Sequence, residues 1–310
     1  MAMTTNALVA RFAERYRAHG LVLLSTAPGT KFPCYPGWNR PENAIAPNFW
    51  RTHPRHGIAT LLGPSGLVSI DVDNEPIAES TMLNFGVDLR KLRAHGPCIV
   101  GRHYRLLFQK PAIELRHRSV TWPRRDDPRF GSVIFEFRAG SISDTLPPTI
   151  HPGTGNPYRW ENPPRNGFPP LPQRLIELWM DWPEFHRKAL ALCPWAPLPK
   201  PTPPLRTRTH EPGRASVIDV FNDTHDVAEI LEQHGYVRRG KRFASPDTEH
   251  AAGIFLTPGG RIYCHHAGDP LSSEHAHDAF DVYRLLEHDG DFRAAVRAAA
   301  QSLGLGRDAF

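Results

Sequence analysis

Proline constrains this chain more than any other residue type. It accounts for 32 of the 310 residues, about a tenth, where roughly 5% is usual. Because proline lacks a backbone N–H and disrupts the helix interior, the composition favours strands, turns and linkers over a helical bundle. Prolines are dense in residues 193–214, which predicts an extended linker that packs poorly. The sequence therefore predicts two domains, residues 1–192 and 215–310, on either side of it.

Charge and hydropathy limit the class of protein further. The chain is 40% hydrophobic with a formal net charge of +5, so it is neither disordered nor fibrous, and its charge permits an anionic partner without demanding one. No stretch approaches the roughly 18 apolar residues of a membrane span, which predicts no membrane partner. The four cysteines (Cys34, Cys98, Cys193 and Cys264) contain no CxxC pair. This pattern is typical of a reducing cytoplasm.

The N-terminal domain shows both helical and strand periodicity. Apolar residues recur at helical spacing from Leu8 to Tyr16, with Gly20 at the expected stop. Period-two alternation bounded by glycine or proline predicts strands, and residues 171–192 read as a helix interrupted by Pro183. The predicted strands are 21–24, 66–73, 98–108 and 133–137. The resulting fold class is α+β, a catalytic domain of mixed sheets flanked by helices.

The C-terminal domain also reads as α+β. Asp226, Asp278 and Asp291 each stand where a helix cap belongs, ahead of apolar residues at helical spacing. Short apolar runs at 242–243, 254–256 and 261–264 predict strands. This predicts a small accessory domain of the kind used for DNA or partner contact.

The strongest chemical signal is an acid pair at the end of an apolar strand. Asp71 and Asp73 are two residues apart, so on a strand they share one face while Val68, Ile70 and Val72 face the core. Two such carboxylates repel each other unless a cation lies between them, and paired Mg²⁺ ions serve phosphoryl transfer in this way. Taken alone, the pair is also consistent with a solvated strand end.

Two further strands carry candidate site residues. Glu136 and Arg138 share the face opposite Val133, Phe135 and Phe137.

In the strand predicted over 98–108, Gly101 allows close backbone approach, and His103 and Arg105 are expected on one face. Imidazole and guanidinium groups together suit a triphosphate. Each element alone is equally consistent with an ordinary half-buried strand or a core histidine.

In order and spacing, these elements resemble the bifunctional DNA primase/polymerase domains of the archaeo-eukaryotic primase superfamily. Residues 57–59 and 63–67 lead into the acid pair as in that family. Residues 146–160 are similar to its proline-rich return, and Lys31-Phe32-Pro33 with Trp38 resembles its early signature. The likeness covers about residues 7–165.

The resemblance implies a role for each candidate residue. Asp71, Asp73 and Glu136 would hold two divalent ions, Mg²⁺ or Mn²⁺, and His103 would contact the phosphates of the incoming nucleotide. Arg102, Arg105 and Lys31 are further phosphate candidates, although the family usually has an aromatic residue where this chain has Arg105. The implied partners are a single-stranded DNA template, a primer and an NTP or dNTP. Since no GxxxxGK[ST] motif occurs, unwinding would come from a replicative helicase in trans or from a longer parent chain.

The C-terminal domain is similar to the zinc-ribbon module of bacterial primases. Residues 245–248 replace the first ligand pair of that module, and of the second pair only Cys264 remains. Structural zinc needs four N or S ligands, so we expect a relative without zinc.

Two basic segments complete the candidate set. Residues 116–129 could follow a template backbone with Trp122 as a stacking surface, or form a solvated loop balanced by Asp126 and Asp127. Residues 238–242, in a predicted hairpin, and the linker arginines at 206, 208 and 214 offer further phosphate contacts.

Three functions remain open at this point. The first is template-directed synthesis in plasmid, phage or mobile-element replication. The second is a non-catalytic replication initiator that binds nucleic acid, which the retained acid trio disfavours. The third is a metal-dependent nuclease, which would leave the His103 segment and the glycines before the acid pair unexplained.

Overall fold

The computed structural model describes residues 5–33, 35–195, 216–247, 252–273 and 275–305. The chain divides into two compact units, residues 1–120 with 133–193 and residues 121–132 with 194–310. Apart from residues 193–195, the predicted linker lies outside the described residues, as do its arginines.

The first unit combines two antiparallel sheets with helices. In the described residues, the larger sheet has six strands and the smaller one has three. The tip of one hairpin of the larger sheet, residues 121–132, is grouped with the second unit. In chain order, the elements are α1 (Thr5–Ala18), β1 (Leu23–Thr26), α2 (Phe49–Thr52), β2 (Gly57–Leu61), β3 (Leu67–Val72), α3 (Glu75–Asn84), α4 (Leu89–His95), β4 (Cys98–Val100), β5 (Tyr104–Gln109), β6 (Arg118–Pro123), β7 (Gly131–Arg138), β8 (Ser143–Leu146), β9 (Arg159–Asn162), α5 (Gln173–Met180) and α6 (Trp182–Ala191).

The strand order is β6-β7-β3-β5-β4-β9 in the larger sheet and β1-β2-β8 in the smaller one. Strand β3 is therefore paired along both edges, by β7 and β5, and both of its faces are covered as well. On one face, the fully buried Phe137 packs in an aromatic cluster, with ring centroids 4.9 Å from Trp179 and 5.7 Å from Phe185 on the two C-terminal helices of the unit. On the other face, Leu67 belongs to a core shared with α1 and the smaller sheet. This enclosure fixes the strand that carries the acid pair.

Several predictions for this unit are confirmed. The structure has strands at β3 and β7, and the helix over 171–192 is divided at Asp181 so that Pro183 falls in the first turn of α6. The alternation of β7 is also as expected, with Phe135 and Phe137 buried opposite Glu136 and Arg138.

The prediction of one continuous strand over 98–108 is wrong. The structure has two antiparallel strands, β4 and β5, joined by a tight turn in which the Gly101 N–H donates to the His103 carbonyl at 2.8 Å. His103 therefore lies in the turn and does not share a strand face with Arg105. Apolar residues on both sides concealed the turn, and only Gly101 signals it.

In its described residues, the second unit has four helices and a four-stranded meander. Its elements are α7 (Val217–Thr224), α8 (Val227–Gln233), β10 (Val237–Arg239), β11 (Arg242–Ala244), β12 (Ile254–Leu256), β13 (Ile262–Cys264), α9 (Ala279–Glu287) and α10 (Phe292–Ser302). The three predicted caps are confirmed, since the side chains of Asp226, Asp278 and Asp291 accept backbone N–H groups at the starts of α8, α9 and α10. Sequence reasoning missed α7, which begins at a Ser216–Asp219 capping box.

Within the described residues, no helix has the length and apolar character needed to cross a bilayer.

Replacing Phe137 with alanine should lower the free energy of unfolding of the first unit by about 3–5 kcal/mol, because the cavity left in the aromatic cluster cannot close fully. Urea unfolding followed by tryptophan fluorescence measures this. The control is Leu83→Ala, at a side chain that is 58% exposed. That variant should change stability by no more than about 0.5 kcal/mol, and equal effects of the two variants would contradict the packing described here.

Candidate active site

A row of charged side chains crosses the larger sheet at the end of β3. Asp71 is directly opposite Arg105 on β5 and Glu136 on β7. Arg105 Nη2 lies 2.6 Å from Asp71 Oδ2, and Arg138 Nη1 lies 2.5 Å from Glu136 Oε2. Two of the three predicted metal-binding acids are therefore held by arginines on the same sheet.

Sequence reasoning missed the residue that joins these pairs. Asp144 on β8 is fully buried, and its carboxylate lies 2.8 Å from Arg138 Nε and 3.5 Å from Arg105 Nε. The Ser69 hydroxyl also donates to Asp144 Oδ2 at 2.6 Å. The only sequence signal for Asp144 is an acid in a short segment between Gly140 and Pro147. It lies on the smaller sheet, so its position cannot be inferred without the packing of the two sheets.

The network keeps Glu136 ionised. Burial alone would raise the pKa of Glu136, but a hydrogen bond from His117 Nε2 at 3.2 Å and the charge of Arg138 lower it to about 2. Burial alone would lower the pKa values of Arg105 and Arg138. The negative charges of Asp144 and Asp71 nevertheless raise the pKa of Arg105, and those of Asp144 and Glu136 raise the pKa of Arg138. His117 is a second contact that the sequence did not indicate.

Asp73 has a different environment from Asp71 and Glu136. Asp73 follows β3 and has an exposed side chain. Its backbone N–H donates to the Ile134 carbonyl at 3.0 Å. The surrounding protein and the negative charges of Asp71 and Glu136 raise the pKa of Asp73 to about 7. The site thus holds negative charge that its arginines do not fully compensate.

A cavity of about 350 Å³ opens beside these acids. It brings together six of the seven predicted site residues, while Glu136 lies next to Asp71 across the β3–β7 pair. The cavity is lined by Lys31, Asp71, Asp73, Ile99, Arg102, His103, Tyr104, Arg105, His151 and Tyr158.

The basic residues of this cavity occupy two kinds of position. Lys31 and Arg102 are exposed, and His103 Nδ1 lies 3.8 Å from Glu75. Contact with the surrounding protein and the positive charge of Arg105 lower the pKa of Lys31, while the negative charge of Asp71 raises it. Arg105 was expected to contact phosphate, but its buried guanidinium is bound to Asp71 and forms part of the cavity wall.

The turn that carries His103 is packed tightly against the opposite wall. A Cβ atom added to Gly101 would lie 2.4 Å from the Tyr158 ring and 3.2 Å from His151, so only glycine fits. His151 is itself buried in a turn, where its Nδ1 accepts N–H groups from Gly153 and Thr154 at 3.0 and 3.2 Å.

The acids fit a divalent cation in their chemistry. Three carboxylates supply the hard oxygen ligands that Mg²⁺ and Mn²⁺ prefer, and a bound cation would relieve the repulsion that raises the pKa of Asp73. In the part of the chain that the structure describes, no three His, Cys, Asp or Glu side chains already converge as a cage. Asp71 and Glu136 each keep an ion pair with an arginine beside this position.

The basic segment 116–129 does not present the expected stacking surface. Trp122 is only 5% exposed, so the interpretation of its indole as a platform for bases is wrong. Arg124 is paired with Asp126, and Arg129 is paired with Asp127 at 2.8 Å. The charge-balanced loop is the interpretation that the structure favours.

A family model described as the N-terminal domain of bifunctional DNA primase/polymerases (Prim-Pol) matches residues 13–174, just over half of the chain. The chain belongs to the Prim-Pol family. A search of curated proteins found no match. The predicted likeness over residues 7–165 is confirmed, whereas the resemblance of the C-terminal domain to a zinc ribbon lies beyond the matched region and stays a prediction.

Membership makes this Prim-Pol chain a nucleotidyltransferase of the primase/polymerase type, with DNA and nucleotides as substrates. Prim-Pol proteins generally use divalent metal ions. The acid row and the basic cavity both lie within the matched residues.

Replacing Asp144 with alanine should lower the free energy of unfolding by about 3–5 kcal/mol, because two buried guanidinium groups would lose their shared partner. Urea unfolding measures the loss. Asp126→Ala removes an exposed partner of an arginine instead, and should leave the unfolding curve close to that of the wild type. Equal stability of wild type and Asp144→Ala would show that the buried network does not stabilise the fold.

The raised pKa of Asp73 makes the stability of the metal-free chain depend on pH. The folded chain binds this proton more tightly than the unfolded chain, whose pKa is 3.8, so its stabilising effect is complete below about pH 4 and is lost as pH rises through about 7. In EDTA, Asp73→Asn should therefore raise the free energy of unfolding at about pH 8, by on the order of 1 kcal/mol after allowing for solvent screening.

That stability difference should narrow toward about pH 3, where Asp73 is mostly protonated in both the folded and the unfolded chain. The matched control is Asp223→Asn, at an exposed acid of the second unit, which should leave the unfolding curve close to that of the wild type. A gain for Asp73→Asn that stays constant from about pH 3 to pH 8 would contradict the assignment.

Proposed function

We propose that this Prim-Pol chain is a template-directed DNA primase/polymerase that joins nucleotides on single-stranded DNA. The observation that carries the proposal is the cavity in which the basic residues Lys31, Arg102 and His103 face the acids Asp71 and Asp73. The acids can bind metal ions, and the basic side chains beside them can bind phosphates. Together they are the groups needed to bind a nucleoside triphosphate with its metal ions. A site that binds nucleic acid without catalysing a reaction needs no such acids.

In the proposed reaction, the 3′-hydroxyl of the primer releases its proton to solvent, and its oxygen bonds to the α-phosphorus of the incoming nucleotide. The bond between the α-phosphorus and the bridging oxygen breaks, and pyrophosphate leaves with its electron pair. Two divalent ions, Mg²⁺ or Mn²⁺, held by Asp71, Asp73 and Glu136, would acidify the hydroxyl and neutralise the leaving charge. No protein nucleophile is required.

The side chains of the chain itself have three tasks in this proposal. Lys31 and Arg102, exposed at the cavity, supply positive charge to the triphosphate, and His103 orients it. Arg138 and His117 keep Glu136 ionised, as its lowered pKa shows. Arg105 positions Asp71 through their 2.6 Å ion pair and is assigned no direct phosphate contact.

We further propose that this activity serves plasmid, phage or mobile-element replication in the cytoplasm and that a replicative helicase supplies DNA unwinding. Residues 1–310 contain no GxxxxGK[ST] phosphate-binding loop, the motif that a helicase motor uses for its nucleotide.

The test is incorporation of labelled nucleotides on a single-stranded template, with and without a primer, in Mg²⁺ or Mn²⁺. The wild type should extend the primer, and Asp71→Ala/Asp73→Ala should reduce the rate at least about 100-fold because it removes the predicted cation ligands. Asp223→Ala/Glu229→Ala, which removes two exposed acids from the second unit, should extend at the wild-type rate. Products formed without a primer would establish priming.

Two outcomes would overturn the proposal. Shortening of the labelled strand without any extension would identify a nuclease. Template binding without synthesis or degradation in either metal would identify a binding module.

A further inference from the structure

The four-stranded meander of the second unit has two chemically different faces. Residues paired across neighbouring antiparallel strands share a face. Phe243 pairs with Ile254, and Ile254 pairs with Cys264, and all three are buried in the core of the unit. This face is therefore committed to folding.

The opposite face carries one row of cations and rings across all four strands. Arg239 pairs with Arg242, Arg242 pairs with Phe255, and Phe255 pairs with Tyr263. The two arginines are exposed and the two rings are half-buried. A sheet face that is not part of the core thus combines positive charge with aromatic surface.

Contacts on this face place cations beside rings. The Arg242 guanidinium carbon lies 6.0 Å from the centre of the Phe255 ring, and the exposed His265 ring lies 4.7 Å from that of Tyr263. Contact with the surrounding protein and the charge of Arg242 lower the pKa of His265, which favours the neutral form of this ring.

The hairpin at the edge of this face increases its positive charge. Residues 238–242 contain four cations around Gly240, whose φ of +66° permits the turn. Lys241 and Arg242 are exposed, and the Arg238 Nε–H donates to the Gly240 carbonyl at 3.3 Å, which orders the turn. The hairpin thus supplies a short cationic track that leads onto the rings.

We propose that this surface, defined by Arg239, Lys241, Arg242, Phe255, Tyr263 and His265 and here termed the meander face, binds single-stranded DNA. Arginine and lysine bind the backbone phosphates, and exposed rings stack on unpaired bases, which is how strands are held without sequence preference. A duplex hides its base faces, and an acidic protein would make no use of the rings. DNA rather than RNA is the occupant that Prim-Pol membership favours.

The proposal does not depend on catalysis, and its test contains neither a nucleoside triphosphate nor a divalent metal ion. Fluorescence anisotropy would follow binding of a labelled 15-nucleotide thymidine strand to the full chain in EDTA, from about 50 to 200 mM salt. We expect Arg239→Ser/Arg242→Ser to weaken binding at least about fivefold and to reduce the slope of log affinity against log salt by about 1.4, the value for two phosphate contacts.

The charge-matched control is Arg293→Ser/Arg297→Ser, which removes two exposed arginines from α10 of the same unit. It should leave both the affinity and the salt slope near the wild-type values. Equal weakening by the two arginine pairs would show that net charge alone binds the strand, which would overturn the proposal.

A second pair of changes tests the rings. Phe255→Leu/Tyr263→Leu keeps apolar bulk and should weaken strand binding at least about fivefold with the salt slope unchanged, since stacking is not ionic. It should alter binding of a matched duplex by less than twofold. Circular dichroism and thermal unfolding would verify that each variant folds, and a strand affinity equal to wild type in the folded ring variant would overturn the proposal.

Template-directed synthesis and strand binding by the meander face can fail separately. Loss of strand binding in the meander-face variants would support this inference even if the wild type synthesised no DNA. Normal strand binding by both meander-face variants, in a chain that extends primers, would reject the inference and leave the polymerase function intact.

Discussion

The candidate site depends on one buried carboxylate. Asp144 is fully buried and holds two arginines, and these arginines in turn hold Asp71 and Glu136. Removing any of these charges from the interior would leave another uncompensated, so the five groups stabilise one another as a unit. Because Asp144 comes from the smaller sheet and the other four from the larger one, the network also joins the two sheets.

The same arrangement links folding to chemistry. Strand β3 is enclosed between β7 and β5, with an aromatic cluster beneath one face and the α1 core beneath the other. Only its end emerges, and there Asp73 carries a pKa raised to about 7 by its surroundings and by Asp71 and Glu136. The residues that make the fold rigid leave one acid in an electrostatically unfavourable place, which is a common property of functional sites.

The sequence predicted those parts of the site that depend on local pattern. Alternation on β7 placed Glu136 and Arg138 on one face because period-two burial is visible in the residues themselves. Asp144 and His117 had no such signal, since their roles arise from strands that meet only in the folded sheets. Arg105 was assigned to phosphate because a sequence shows a charge without showing its partner. The strand predicted through His103 failed for a local reason, a single glycine turn between two apolar runs.

The turn at Gly101 limits how this cavity can vary. Any side chain at Gly101 collides with the Tyr158 ring, while the adjacent Arg102 is exposed and lines the cavity. In a library of random substitutions selected for folding alone, position 101 should therefore accept only glycine, whereas position 102 should accept many residues. Sequence change in the β4–β5 turn can therefore alter the lining of this Prim-Pol cavity at position 102. It cannot do so at position 101 without displacing the Tyr158 ring.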